Sequence, residues 1–354
     1  MQVSIKWQDV EFKTQIAHSV KEIGPEVWDR LSQGRPFSGY NWYEYGESCM
    51  AGSLPVYIFL FQDNQAVARA TFWLTGDEPL PIASVPIRRL VKAYLHRRPL
   101  LLCRSPFSSS SGLILPDQPL REKALQRIVI VALEELHRYH GSFLAFDFLG
   151  GEEVRLPGWP SEKIVFTFAD PGTRMELKWD SFDAYLAAGD KKDRQHFKRT
   201  MHQAEKLGIQ ITRHKTVPDI ESSLAVIRNL EKKYVNDPIP WAQNLLENIG
   251  LIDGTFLEAR LDDRLVGCAV VAYDHDVQSA VLIGLADDIP YVYFRLLYAA
   301  LQEAFEKNVR LLRWGSNLYE VKLRLGFEKE DNGQTIFIGS DPFKRLVGRL
   351  AVSR

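Results

Sequence analysis

One lysine near the C-terminus has a setting that could serve chemistry. Lys322 lies in GSNLYEVKLRLGF, residues 315–327, which follows the short apolar run VRLLRW. Tyr319 precedes it by three residues, so the two side chains share one face if the segment is helical. Lys322 is either a solvated helix residue beside Arg324 or a reactive cation placed just after a strand. Tyr319 is either a packing residue or a group that positions substrate or donates a proton.

A first group of basic residues is arranged to contact phosphates. Lys191, Arg194 and Lys198 recur at three- and four-residue spacing, which places them on one face of a predicted helix, and Arg199 follows directly. Such a face can follow the phosphates of an RNA stem or bind a diphosphate. Interspersed acidic residues partly offset this charge, so a solvated charged face is the alternative.

A second group of basic residues lies in SVPIRRLVKAYLHRRPLLLCR, residues 84–104, which contains no acidic residue. Arg88, Arg89 and Lys92 lead this group, and three more arginines follow them. The absence of offsetting charge within the segment makes it the better candidate for binding anions. The alternatives are an ordinary surface loop or a patch that meets acidic lipid headgroups.

The sequence gives little support for a metal site or for other kinds of catalytic site. The eight histidines include two close pairs, His137/His140 and His196/His202, and neither pair has further ligands at metal-binding spacing. No G-x-S-x-G elbow and no Walker loop occurs. The three cysteines are widely separated and lack flanking groups that would activate a thiol. We therefore expect no metal site and no covalent enzyme intermediate.

Composition predicts a soluble cytoplasmic protein of two domains. The chain has 354 residues, 45% of them hydrophobic and 25% charged, with a net charge of −1. No window approaches eighteen uninterrupted apolar residues, and the charged N-terminus does not resemble a signal peptide. Isolated cysteines are typical of a reducing compartment. The net charge does not indicate a nucleic-acid or membrane partner, so any basic surface must be local.

An internal repeat organises the chain. Residues 56–74 and 255–273 each predict a β-hairpin with a polar turn, at Asp63-Asn64 and at Asp262-Asp263. Each hairpin is followed by an apolar strand, a helix and a second strand. In the first half these are GLIL, residues 121–140 and SFLAFDF; in the second they are AVLIGLA, residues 293–308 and VRLLRWG. The helices are predicted from apolar residues at three- and four-residue spacing.

The halves differ in what is added to this unit. The first carries the basic segment between its hairpin and its helix, whereas the second begins with four predicted helices over residues 182–250. The stretch LGGEEVRLPGWPSEK, residues 149–163, is rich in Gly and Pro and predicts a linker. We therefore predict an N-terminal subdomain over 1–170 and a C-terminal subdomain over 171–354.

Three segments in this order resemble the FemAB-like branch of the GNAT acyltransferase superfamily, which includes the peptidoglycan-bridge type. SFDAYLAAGDKKDRQHFKRTMHQAEKLGIQI is similar to its entry segment, and RLDDRLVGCAVVAYDHDVQSAVLIGLADD to its hairpin and fourth strand. WGSNLYEVKLRLGF resembles its closing element, Y-x-x-K-x-x-x-G. The resemblance implies an α/β (α+β) fold of two tandem GNAT-like subdomains, each a mixed twisted sheet flanked by helices.

The resemblance also implies roles for individual residues. Lys322 corresponds to the lysine that stabilises the negative charge of an oxyanion when an amine attacks an activated carbonyl, with Tyr319 assisting. The basic residues 191–199 and 88–92 would bind the donor. Aromatic residues would line the acceptor cleft, or else simply pack in the core. These acceptor candidates are Tyr291, Tyr293, Trp42 and Tyr43.

The donor is predicted from a missing motif. GNAT domains that use acyl-CoA follow their fourth strand with a glycine-rich turn that binds pyrophosphate, whereas GLADDIPYVYF has no glycine after Gly284 and carries Asp287 and Asp288. We therefore expect no cofactor and an aminoacyl-tRNA co-substrate, whose aminoacyl group passes to the amine of a small molecule or peptide. The alternatives are an acyl-CoA-dependent N-acyltransferase and a non-catalytic RNA- or membrane-binding module.

Overall fold

The structure is a computed structural model that describes residues 12–80, 82, 84–160, 164–168, 170–234, 236–286, 289–316 and 318–339, with the backbone alone for 164–168. Two mixed sheets with helices packed on them make up this part of the chain. Among the described residues no helix is both long and apolar enough to cross a membrane.

The first sheet contains eight strands within the described residues, in the order β1-β2-β3-β4-β6-β15-β7 with β5 paired to β3. Its strands are β1 (Lys13–Ala17), β2 (Leu54–Gln62), β3 (Gln65–Thr75), β4 (Leu100–Cys103), β5 (Leu113–Ile114), β6 (Phe143–Leu149), β7 (Ile164–Phe168) and β15 (Gln334–Gly339). Its helices are α1 (Pro25–Ser32), α2 (Tyr40–Cys49), α3 (Val85–Arg97), α4 (Arg121–Arg138) and α5 (Gly151–Val154).

The second sheet contains seven strands in the described residues, in the order β14-β8-β13-β12-β11-β10-β9. Its strands are β8 (Thr173–Glu176), β9 (Ile209–His214), β10 (Gly254–Leu261), β11 (Arg264–Asp274), β12 (Val277–Leu285), β13 (Leu311–Arg313) and β14 (Glu328–Lys329). Its helices are α6 (Phe182–Ala188), α7 (Lys191–Lys206), α8 (Ile220–Lys233), α9 (Ala242–Asn248), α10 (Val292–Glu306) and α11 (Tyr319–Arg324).

The two sheets repeat one topology. The β2–β3 and β10–β11 hairpins both turn in two residues, with left-handed φ of 49° at Asp63, 61° at Asn64 and 51° at Asp262. In each sheet the next strand pairs antiparallel with the hairpin and parallel with the strand beyond, and a long helix makes the crossover. The predicted α/β fold of two repeated units, each a mixed sheet flanked by helices, is confirmed.

One strand assignment in the first half was wrong. GLIL forms only the two-residue β5, and LLLC in the basic segment forms β4, which occupies the position predicted for GLIL. β4 is the strand that pairs with both β3 and β6. The end of the basic segment is therefore part of the repeated unit as β4, because four apolar buried residues fit a central strand, whereas α3 has no counterpart between β11 and β12.

The C-terminal strand crosses between the units. β15 lies between β6 and β7 of the first sheet, although the predicted division at residue 170 places residues 334–339 in the second subdomain. Ile336 and Ile338 of this strand are fully buried in the core of the first unit. The predicted linker at 149–163 is partly ordered structure, since it contains helix α5 and the buried Trp159.

A shared hydrophobic core joins the units. Trp28, Trp42 and Tyr45 from the first unit and Leu245 and Phe256 from the second belong to one buried cluster. The Tyr45 hydroxyl donates to the Leu245 carbonyl at 3.1 Å. Because the interface is apolar and continuous with both cores, the two units hold one another in a fixed arrangement.

Candidate active site between the two units

A cavity opens where two strands of the second sheet separate. β12 pairs with β13 only over Val277–Ser279, and β13 ends at Arg313 while β12 continues to Leu285. The space beside the rest of β12 is a cavity of about 340 Å³. Its wall is mostly apolar, with contributions from β11, β12, α8, α10 and residues 314–316, 318 and 322. A concave apolar pocket with a few polar groups is the usual form of a small-ligand site.

The first unit closes one side of this cavity with a serine-rich loop, residues 105–111. Phe107 and Ser109 line the cavity, and both have left-handed backbone conformations, with φ of 56° and 46°. Such strained residues persist only where the surrounding structure holds them in place. Here the Ser105 hydroxyl donates to the Phe37 carbonyl at 2.6 Å, and Ser108 donates to the Ser105 hydroxyl at 2.8 Å.

An arginine–glutamate pair fastens the loop to the second unit. The guanidinium of Arg313 donates to both carboxylate oxygens of Glu330, at 2.7 and 2.6 Å, and to the Ser110 hydroxyl at 2.6 Å. Asn332 donates to the Ser109 carbonyl at 2.8 Å. The Ser109 hydroxyl, by contrast, has no hydrogen-bond partner among the described residues. It is therefore available to a ligand in the cavity.

Lys322 lies in the cavity wall and is 6% exposed. Its ammonium group donates to the Trp314 carbonyl, to the Gly315 carbonyl at 3.1 Å and to the Ser316 carbonyl at 3.3 Å. Burial lowers the pKa of Lys322 from 10.5 to about 8. The three carbonyls favour the charged amine and oppose this shift. Lys322 thus holds the backbone where β13 ends and brings a positive charge to the cavity.

The Tyr319 side chain points away from the cavity. Its hydroxyl donates to the Pro171 carbonyl at 2.7 Å, and the Lys329 ammonium lies 4.4 Å from its ring centre. It is not among the residues that line the cavity. The three-residue spacing on α11 therefore does not bring Tyr319 and Lys322 to one site, because this six-residue helix lies between the cavity and the chain near Pro171.

The aromatic acceptor candidates divide into two groups. Tyr293 lines the cavity, and Tyr291 caps the start of α10 and packs against the second core. Trp42 and Tyr43 are core residues, 5% and 1% exposed, and do not line the cavity. Both support the serine-rich loop or its neighbours. The Trp42 indole donates to the Pro106 carbonyl at 2.9 Å, and the Tyr43 hydroxyl pairs with that of Thr71.

The basic residues of α7 do not line the cavity that contains Lys322. Lys191, Lys198 and Arg199 are exposed, whereas the Arg194 guanidinium donates to the carbonyls of Ala187 and Gly189. Arg194 also lines a second cavity of about 180 Å³, together with residues of α10 and α11. Of the donor-binding candidates of α7, Arg194 therefore lies beside α11, at a cavity separate from the one that Lys322 lines.

Two basic residues of α3 form ion pairs that the sequence did not indicate. Asp237, in the second unit, accepts from Arg88 at 3.2 Å and from Lys92 at 3.0 Å. Arg89 is exposed. The segment has no acidic residue of its own, but the fold brings Asp237 to it from more than 140 residues further along the chain. Arg104 at its end pairs with Glu78 at 2.6 Å and with Asp147 at 3.7 Å. The pairing with Asp237 fixes α3 beside residues 236 and 239, both of which line the cavity.

Sequence reasoning missed one carboxylate in the cavity. Glu231 is the acidic member of the lining and is 7% exposed. Its Oε1 accepts from Arg228 at 2.9 Å and from the Ile239 amide at 2.9 Å, and its Oε2 accepts from Arg228 at 2.7 Å. The available signal was its position four residues after Ile227 on the apolar face of α8. Asp287 and Asp288, used in the donor argument, lie outside the described residues.

No family model and no curated protein matches this sequence. Solved structures do match it. FemX has a TM-score of 0.61 at 10% identity, covering 94% of this chain and 100% of that chain. A tandem GNAT protein from the clavulanic acid biosynthesis pathway has a TM-score of 0.59 at 11% identity, covering 94% and 99%.

A third structure, L-PGS from Bacillus licheniformis, has a TM-score of 0.51 at 13% identity, with 94% of this chain and 98% of that chain covered. All three likenesses extend over nearly the whole of both chains. They therefore include both sheets and the crossover of each repeat. On this evidence the chain has the tandem GNAT fold.

Proposed function

We propose that the protein is a FemAB-like acyltransferase that forms an amide bond, moving an aminoacyl group from aminoacyl-tRNA to the amine of a small molecule or peptide. The observation that carries this proposal is the cavity at the separation of β12 and β13, closed by the first unit and bordered by Lys322. It is large enough for an activated acyl group and a small amine to meet away from bulk water.

Glu231 supplies the base that the reaction needs. The acceptor nitrogen attacks the carbonyl carbon of the aminoacyl ester, a C–N bond forms, and the proton of the nitrogen passes to the carboxylate. The C–O bond to the ribose then breaks, and the released hydroxyl takes a proton from solvent. Oε2 of Glu231 accepts a single hydrogen bond within the described residues, so it retains a lone pair for this proton.

Lys322 stabilises the charge that develops in the transition state. Its three N–H groups are already donated to backbone carbonyls, so it acts through its positive charge and through the backbone that it fixes. A charge in an apolar cavity is less screened than one in water. Tyr319 has no part in this mechanism, because its hydroxyl is bound to Pro171 outside the cavity.

The tRNA donor is supported by the exposed cations of α7 and by the sequence of the turn before α10. Lys191, Lys198 and Arg199 present positive charge to solvent, where an acceptor stem can contact them. The turn GLADDIP offers no glycine-rich pyrophosphate loop. A tandem GNAT protein whose structure is described as lacking AcCoA shares the fold, so acyl-CoA is the donor to be compared with charged tRNA.

The test supplies both donors to the purified protein. Radiolabelled aminoacyl-tRNAs or acyl-CoA are incubated with a protein-free extract of small amines and peptides, and acid-stable product is counted with and without RNase. We expect RNase-sensitive transfer from charged tRNA and none from acyl-CoA. The reverse result would overturn the donor assignment. Steep salt-dependent RNA binding without transfer from either donor would overturn the enzyme proposal.

Variants link transfer to the cavity. Glu231→Gln is expected to lower the rate about 10²- to 10⁴-fold, the usual range for losing a general base. Glu221→Gln, on the exposed side of the same helix, is the matched control and should transfer at the normal rate. Full activity of a folded Glu231→Gln protein would remove this residue from the mechanism.

A further inference from the structure

The outer face of α3 is unlike the rest of the surface. Leu90 is 72% exposed and Ile87 55% exposed, which makes Leu90 the most exposed of the large apolar side chains that the structure describes. Val85 at the start of the helix is 36% exposed. Single exposed apolar residues are common, but three within six residues of one helix form a patch.

Positive charge surrounds this patch. Arg89, Arg97 and Arg98 are exposed and form no ion pair in the part of the chain that the structure describes. The opposite face of α3 is already occupied, since Leu95, Val91 and Tyr94 pack in a small core and Arg88 and Lys92 are paired with Asp237. The helix is therefore held firmly against the protein with its apolar residues and three free arginines facing outward.

The combination of exposed aliphatic side chains and arginines selects one partner. An RNA would contact the arginines but gains nothing from Leu90 and Ile87. A second copy of this helix would bring like charges together. An anionic lipid surface satisfies both features, because aliphatic groups enter the boundary between headgroups and acyl chains while arginines contact lipid phosphates.

We propose that α3 is a docking helix that lies in the plane of an anionic membrane surface, with Ile87 and Leu90 inserted and Arg89, Arg97 and Arg98 at the headgroups. Docking brings the cavity close to the lipid, because the Asp237 that binds α3 lies between the cavity-lining residues Asn236 and Ile239. An acceptor amine carried by a membrane-anchored molecule is then within reach, a consequence that rests on the proposed function.

Vesicle flotation of the full chain tests the docking independently of activity. The probes are vesicles of phosphatidylcholine alone and vesicles with about one third phosphatidylglycerol. We expect binding to the anionic vesicles that weakens with salt. Arg89→Gln with Arg97→Gln should lower the partition coefficient roughly 20-fold, since each basic residue near the surface contributes about fivefold. Ile87→Ser with Leu90→Ser should lower it at least 10-fold.

Matched variants elsewhere serve as controls. Ile130→Ser on α4, where Ile130 is 49% exposed, and Arg30→Gln on α1 should leave partitioning unchanged. The proposal is overturned if anionic vesicles do not bind, or if the α3 variants and the control variants partition alike. A further pair of results would also overturn the proposal. These are loss of tRNA binding in the Arg89→Gln/Arg97→Gln protein together with normal vesicle binding in the Ile87→Ser/Leu90→Ser protein. Transfer activity enters none of these readouts, so failure of the proposed function would be seen separately.

Discussion

At Lys322 two opposing influences act on one ammonium group. Removal from water disfavours its charge, whereas the carbonyls of residues 314–316 favour it. Removal from water has the larger effect, since the pKa of Lys322 lies at about 8 rather than 10.5. The lysine is therefore charged at neutral pH but loses its proton over a range in which an unfolded chain would keep it.

This shift makes the effect of Lys322→Met depend on pH. Between pH 8 and 10.5 the unfolded lysine binds more protons than the folded one, so the contribution of Lys322 to stability rises with pH. We expect the variant to be less stable than the wild type, because three buried carbonyls lose their donor. The difference between the two should widen as the pH increases from 8 to 10.

Urea unfolding of both proteins across this pH range measures the difference between their free energies of unfolding. The contributions of all other titrating groups cancel in this difference. A difference that stays constant from pH 7 to 10 would show that the carbonyls hold the pKa of Lys322 at its ordinary value. Lys307→Met is a suitable comparison, since Lys307 contacts Asp253 on the surface rather than entering the cavity.

Neighbouring serines of the loop should separate binding from stability. Ser110→Ala removes a partner of the Arg313 guanidinium and should cost about 1–2 kcal/mol of unfolding free energy. Ser109→Ala removes a hydroxyl that has no partner in the described structure, so stability should change by less than about 0.5 kcal/mol. We expect Ser109→Ala instead to raise KM for the acceptor. Denaturant titration and steady-state kinetics of the two variants check this; equal loss of stability in both would contradict it.

At the level of elements, the cavity depends on how closely α8 packs on β12. Gly284 on β12 faces α8, and a Cβ added there would lie 2.7 Å from the backbone nitrogen of Ile227. This contact is with backbone, which cannot rotate away. Ile227 and Glu231 on α8 both line the cavity, so the glycine sets the distance between the proposed base and the strand.

Gly284→Ala should therefore affect both stability and activity. We expect a loss of about 1–3 kcal/mol, as for other overpacked sites, and a lower transfer rate because Glu231 is displaced. Gly250→Ala is the control, since the nearest atom to its added Cβ is an ordinary 3.6 Å away. Thermal unfolding and transfer assays of both variants test the argument. A Gly284→Ala protein as stable and active as the control would show that α8 can move without consequence.

Local patterns predicted most elements, and distant pairing accounts for what they missed. Two-residue polar turns identified both hairpins, and apolar spacing identified α4 and α10, because these signals lie within a single segment. The role of LLLC as β4 could not be read locally, since any short apolar run fits several positions in a sheet. The place of β15 between β6 and β7 likewise depends on contacts between residues that are more than 160 positions apart in the chain.

The candidate site was predicted in the same uneven way. Lys322 was identified because its motif is contiguous; it lies in the cavity wall, and its catalytic role stays a prediction. Trp42 and Tyr43 were offered as cleft residues with core packing as the alternative, and the structure places both in the core. Ser109 reaches the cavity through the contact between the two units, and Glu231 reaches it through the packing of α8 on β12, and no single segment encodes either contact.

For the molecule as a whole, two features tie the units into one cooperative structure. β15 leaves the second unit to complete the first sheet, and one buried cluster contains residues of both units. The Arg313–Glu330 pair and its serine contacts add a third connection at the edge of the cavity. Unfolding either unit would therefore expose apolar surface of the other, which favours a single transition.

Ile336→Ala tests this cooperativity. Ile336 is fully buried in the first unit, so truncation should cost about 2–4 kcal/mol. If the units unfold together, hydrogen exchange of the slowest amides should accelerate by the same factor in β3 of the first sheet and in β11 of the second. Ile130→Ala on the exposed side of α4 should accelerate neither. If amide exchange in β11 stays as slow as in the wild type while exchange in β3 becomes faster, the two units unfold independently. The cavity would then be formed by contact between two separately folded units.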